Sequence, residues 1–179
     1  IDVPKSSLVG QPYVRLSIDT YDDFYFPTRG TKLYAEASFI DDYIHHNEFS
    51  PILQIDVRSV IPILPKRKLS LLLNAYTRML FSTQDYPIYE STFYGGTEYA
   101  PYFDHHTYFY GLNSLYIANY YTGMLMGGLR WRFYKNNYIT ARINGIYTVN
   151  DLFDPTDKNS ILGYAISYSR KTNLGPIDI

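Results

Sequence analysis

Polarity along this chain alternates with a period of two, the spacing at which successive side chains of an extended strand point to opposite faces. From Tyr13 to Asp22 one face carries Val14, Leu16 and Ile18, and the other Arg15, Ser17 and Asp19. From Lys32 the faces are Leu33, Ala35, Ala37 and Phe39 against Lys32, Tyr34, Glu36 and Ser38. From Ile52, Leu53, Ile55, Val57 and Ile61 oppose Gln54, Asp56 and Arg58. From Arg67, Leu69, Leu71, Leu73, Ala75, Thr77, Met79 and Phe81 oppose Lys68, Ser70, Leu72, Asn74, Tyr76 and Arg78. Three more strands follow. Leu125, Gly127, Leu129 and Trp131 oppose Met126, Gly128, Arg130 and Arg132; Ile139, Ala141, Ile143 and Tyr147 oppose Thr140, Arg142 and Asn144. Leu162, Tyr164, Ile166 and Tyr168 oppose Gly163, Ala165, Ser167 and Ser169. Every charge among the face residues named for these seven strands falls on the second face.

A soluble sandwich or lipocalin-like barrel produces such alternation with the apolar face inward, and a transmembrane barrel produces it with that face outward. Three features favour the membrane. The stretches run to about ten residues or more, the length a tilted strand needs to cross hydrocarbon. The polar face mixes Arg, Asp, Asn, Ser and Tyr, which suits a wet lumen, and aromatics gather at strand ends as an interfacial girdle does. Connections also alternate in length. Asp22 to Gly30, Leu64 to Lys66, Lys135 to Asn137 and Thr172 to Gly175 are the shorter set; Asp41 to Ser50, Ser82 to about Ala118, and Asn150 to Asn159 are the longer. This places Phe24, Tyr25, Phe26, Phe133, Tyr134 and Tyr138 at one membrane boundary. The expected fold is all-β, an antiparallel transmembrane β-barrel with seven to eight strands visible. Residues 1–12 are a lead-in, and 13–179 a barrel segment with a long extracellular or lumen loop at about 82–118.

Composition narrows the function classes. With 16 basic and 17 acidic residues among 179 the net charge is −1, so no nucleic-acid footprint exists. Absence of cysteine removes disulfides and thiolate metal sites. The 21 tyrosines lift the aromatic fraction to 18% while mean hydropathy stays slightly negative, as residue-by-residue alternation requires. No apolar run suits a membrane helix. Ile1 begins without a signal peptide, so the chain is expected to be mature or cut from something longer. The loop from Ser82 to Ala118 is too long for a passive connector. Its Gly95-Gly96 and Phe109-Tyr110-Gly111-Leu112 elements allow positive φ or close backbone approach, so it is expected to fold back on the barrel wall, an external cap being the alternative.

Reactive chemistry is sparse. Arg15, Asp19, Lys32, Glu36, Asp56, Arg58, Arg78, Arg130, Arg132 and Arg142 would line the lumen, paired across strands in preference to lining an open pore. His45-His46 and His105-His106, with Asp41, Asp42 or Asp104, would be imagined as metal ligands. Adjacent residues on an extended chain point opposite ways, so each pair supplies one ligand at best and no metal is expected. Ser114 lacks the second glycine of a nucleophile turn, and no phosphate-binding glycine loop occurs. Neither a cofactor nor a catalytic residue is expected.

The run Asp22-Asp23-Phe24-Tyr25-Phe26-Pro27-Thr28-Arg29-Gly30-Thr31-Lys32-Leu33 resembles the signature of the bacterial surface antigen superfamily, the outer-membrane assembly-factor and two-partner-secretion barrels. Asp22, Phe26, Pro27, Arg29 and Gly30 would form its periplasmic turn. Thr172-Asn173-Leu174-Gly175-Pro176-Ile177 resembles that superfamily's turn before the penultimate strand, and the long loop matches its lumen-inserted loop in position. Two departures stand out. The loop's usual Arg-Gly-Tyr element is here Tyr110-Gly111-Leu112, without the arginine, and Gly-Gly followed by aromatic-glycine looks more like barrels at the C-terminus of patatin-like phospholipases. The chain also stops at Ile179 as an eighth strand begins. The resemblance implies a Gram-negative outer-membrane location and the C-terminal half of a barrel of about sixteen strands, a closed eight-stranded barrel being the other geometry. It implies a non-enzymatic membrane anchor or translocation barrel, with any phospholipase activity in an upstream domain. Partners would be outer-membrane lipid, the barrel-insertion machinery, and other chains or the missing part of the same barrel. The competing classes are a soluble β-barrel binding an apolar ligand and a surface-exposed interaction protein.

Overall fold

Each alternating stretch forms a strand, because only an extended chain presents residues two apart to one environment. The computed structural model describes residues 9–42, 50–81, 91–97, 105–113, 116–117, 120–149 and 158–179. Its long strands are β2 (Tyr13–Asp19), β3 (Gly30–Asp42), β4 (Ser50–Leu64), β5 (Leu69–Leu80), β9 (Tyr121–Tyr134), β10 (Asn137–Val149) and β11 (Lys158–Thr172), followed by the short β12 (Gly175–Asp178). They make one antiparallel sheet in the order β2, β3, β4, β5, β9, β10, β11, β12. Asn74 faces Met126, and Asn144 faces Gly163, across neighbouring strands.

The lead-in also contributes. β1 (Val9–Gly10) pairs with the far end of β3, Val9 opposite Asp42. Pro12, which has no N–H for the ladder, separates it from β2, while the Pro12 carbonyl still accepts from Phe39 N at 3.1 Å. Within the long loop, β6 (Phe93–Tyr94) pairs parallel with β7 (His106–Thr107) and antiparallel with β8 (Tyr116–Ile117).

Burial is inverted relative to a water-soluble sheet. Val14, Leu125, Leu162 and Ile166 are 69–82% exposed, whereas Arg78, Thr140 and Asn144 on the opposite face are 1–3% exposed. A soluble barrel binding an apolar ligand would enclose the leucines, and this sheet turns them out. β11 is longer than the alternation marked, and its added residues Lys158 and Arg170 lie on the apolar side, so that face is not free of charge throughout. Both sit at strand ends, where a long cationic side chain reaches water.

Two further expectations change. The closed eight-stranded barrel is not formed, because β2 pairs only with β3 and β12 only with β11 among the described residues. Phe26 and Tyr138 do not join the outward aromatic girdle: both are buried and stack at 4.3 Å under the sheet's short-turn end. Phe24, Tyr25, Phe133 and Tyr134 remain exposed there. The sheet is strongly curled about its polar face. Laid flat, β3 and β11 would stand five strand spacings, about 24 Å, apart. Yet Asp23, in the turn before β3, ion-pairs with Lys171 of β11.

Candidate functional site

Polar side chains at the middle of β5, β9, β10 and β11 would be costly to bury alone. They are covered by the chain's own loop. Phe109 is wholly buried against Tyr76, Tyr94, Met124 and Ile146, and Tyr108 and Tyr110 enclose Met126. Asn74 Nδ2 donates to Tyr108 Oη at 2.6 Å, and Asn144 Nδ2 to the Tyr110 carbonyl at 3.3 Å. The guanidinium of Arg142 lies 4.7 Å over the Tyr110 ring and that of Arg58 lies 5.0 Å over Tyr108, a cation–π geometry that desolvation strengthens. Arg142 Nη1 also donates to Ser167 Oγ at 3.0 Å, and Arg78 Nη1 to Thr92 Oγ1 at 3.5 Å.

The loop glycines serve its sharp path. Gly95, Gly96 and Gly111 have φ of +124°, +70° and +98°, left-handed conformations that side chains resist. Gly95 N donates to the Thr107 carbonyl and Gly96 N to that of Leu112, both at 3.1 Å. Of the loop residues singled out by sequence, Phe109 and Tyr110 meet the wall while Gly95 and Gly96 shape the small sheet. Sequence reasoning missed Gly163, Thr92 and the receiving amides Asn74 and Asn144. No local signal marks them, since Gly163 reads as an ordinary strand glycine.

The turn between β2 and β3 is built around two carboxylates. Asp22 accepts from Thr28 N at 2.7 Å, Thr28 Oγ1 at 2.5 Å and Arg29 N at 3.3 Å. Burial works to raise the Asp22 carboxyl, but these bonds outweigh it and hold the pKa below the ordinary carboxylate value. Asp23 behaves alike: burial is outweighed by Lys171 and by the amides of Phe26 and Tyr25. Gly30 has φ of +117°, and a Cβ there would stand 2.4 Å from the Thr20 carbonyl. Pro27 is buried, its carbonyl accepting from Arg130 Nη1 at 3.2 Å, while Arg29 is exposed.

The polar-face charges divide into two groups. Arg15 pairs with Glu36 at 2.7 Å, Lys32 with Asp19 at 3.0 Å and Arg58 with Asp56 at 2.7 Å. Arg78, Arg130 and Arg142 instead meet loop or turn hydroxyls, carbonyls and rings, and Arg132 lines a cavity with Arg130. His45, His46, Asp104, Ser114 and the side chains of Asp41 and Asp42 lie outside the described residues. His105 sits beside Phe93 and His106 is buried. Among the described residues no three His, Asp or Glu side chains converge as a metal site needs.

A curled antiparallel sheet that turns leucines outward and buries Arg78, Arg130 and Arg142 on its other face defines a transmembrane β-barrel segment. A model of the OMP85 superfamily matches residues 3–179, and the chain belongs to that superfamily. Its members are outer-membrane barrels of Gram-negative bacteria, generally non-enzymatic. No curated protein matches the chain.

Proposed function

We propose that this chain is the wall and internal plug of an outer-membrane barrel that anchors a larger protein or serves as its translocation barrel. One observation supports it above the rest: the apolar face lies open while the loop covers the polar face of β5, β9 and β10. An apolar face of this extent is unfavourable in water and favourable in hydrocarbon. A loop seated on this part of the polar face narrows any passage along it, so a wider passage requires the loop to move. The loop's missing arginine favours anchoring over assembly of other barrels. The same loop pattern motivates a patatin-like parent chain, with hydrolysis located in an upstream domain.

Leu125, mid-strand in β9 and 69% exposed, provides the test. Leu125→Arg should destabilise the protein folded in lipid by about 2–4 kcal/mol, read from denaturant unfolding in vesicles. A near-neutral effect, or monodisperse folding in buffer without detergent, would overturn the membrane reading.

A further inference from the structure

The short-turn end of the polar face holds a feature that neither anchoring nor the loop explains. A partly open cavity of about 130 Å³ lies between the β2–β3 turn, the Pro65–Arg67 turn and β9, and Lys68, Arg130 and Arg132 all line it. Thr28, Ser70 and Tyr138 bring hydroxyls to its wall, and no carboxylate lines it among the described residues. Asp22, close in sequence to this wall, already accepts from Thr28 and Arg29.

The cations are held in place. Arg130 is 7% exposed, bonded to the Pro27 carbonyl and 5.7 Å from the Phe26 ring centre, and Phe26 in turn stacks on Tyr138. Arg132 Nε is buried with no hydrogen-bond partner among the described residues. Lys68 takes φ of +54°, its N–H donating to the Pro65 carbonyl and its carbonyl accepting from Arg132 N at 3.0 Å. A buried guanidinium N–H without an acceptor is costly, and an anion seated in this cation-lined cavity supplies one.

We propose that this cavity is an anion site for a phosphate group, with Lys68, Arg130 and Arg132 as its ligands. Guanidinium forks match a tetrahedral oxyanion bidentately, and the Tyr138 hydroxyl on the wall supplies a further donor. The volume is well under the roughly 300–1,000 Å³ of drug-sized pockets, so it takes one charged group and leaves the remainder of a larger molecule outside. A soluble phosphate ester and a lipid headgroup share this chemistry. The site depends on the fold and not on which face meets lipid, so it stands or falls separately from the membrane proposal.

The test titrates the full chain, folded in a non-ionic detergent, with inorganic phosphate at constant ionic strength against a chloride control. Calorimetry should give saturable binding, weakened at least tenfold in Arg132→Gln and in Lys68→Asn. The different gel mobilities of folded and boiled samples verify folding. If Arg132→Gln does not fold, Lys68→Asn decides alone, since its side chain is exposed and asparagine tolerates positive φ. Binding of short-chain phosphatidic acid but not inorganic phosphate, lost in the same variants, assigns the group to a lipid headgroup. Failure of both probes to bind, or binding unchanged in Lys68→Asn, overturns the site.

Discussion

Gly163 is where loop and wall approach most closely. A Cβ added there would stand 2.2 Å from the Tyr110 carbonyl oxygen, 2.8 Å from the Phe109 ring and 2.9 Å from the Asn144 amide. None of these can retreat easily: Phe109 is packed on all sides, and the Tyr110 carbonyl is the acceptor of Asn144. Gly123 and Gly127, on the apolar face, meet nothing within 4 Å, so the same substitution there creates no clash. Gly163→Val is therefore expected to lift residues 105–112 from the sheet. Hydrogen exchange in that segment should quicken while the mobility difference between folded and boiled samples persists. Gly127→Val should leave it unchanged. Equal exchange in both variants would show that the loop does not rest on β11.

At the scale of elements, the β2–β3 turn behaves as a cap on the sheet's end. It is tied to β5 through the Thr28 carbonyl and Ser70, to β9 through Pro27 and Arg130, and to β11 through Asp23 and Lys171. Asp22 organises it as an ionised acceptor. Its folded pKa lies below the unfolded value of about 3.9. Its contribution is thus complete above that value and disappears as pH falls through the folded pKa. Asp22→Asn should be less stable than the parent near neutrality, and the two should converge on acidification in denaturant titrations. A gap independent of pH would mean that shape, and not charge, is what Asp22 supplies. The strands themselves were legible because alternation is a local property. Where locality ended, the reading failed. Phe26 lies inward because periodicity does not govern turns, and Tyr138 lies inward because it is already a strand residue on the polar face with Thr140 and Arg142; the stacking of one on the other joins residues distant in sequence. Lys158 and Arg170 were missed as strand residues because polar strand ends look like loop.

Across the whole molecule, the β5–β9 connection leaves one strand and returns as its hydrogen-bonded neighbour, with its described middle lying on the polar face. Replacing residues 91–112 by a short linker is expected to keep the barrel insertable, because the strand ladders do not depend on that segment. It should raise single-channel conductance in planar bilayers, because Phe109, Tyr108 and Tyr110 no longer fill the polar side. Unchanged conductance would place the barrier elsewhere.

Where the seven long strands run, apart from their polar ends, how each divides into two faces, and at which end the turns are short were determined by the sequence alone. These depend on neighbours two apart and on the chemistry of glycine and proline. The candidate site was half legible for the same reason: Gly95, Gly96, Phe109, Tyr110 and Gly111 form a conspicuous local cluster. Only the tertiary structure decided that Arg78, Arg130 and Arg142 are covered, that Gly163 must admit a backbone while Gly127 need not, and that Lys68, Arg130 and Arg132 line one space. Those outcomes arise when the curl of the sheet brings distant segments together, and the curl is a sum over many strand pairings that no single stretch encodes.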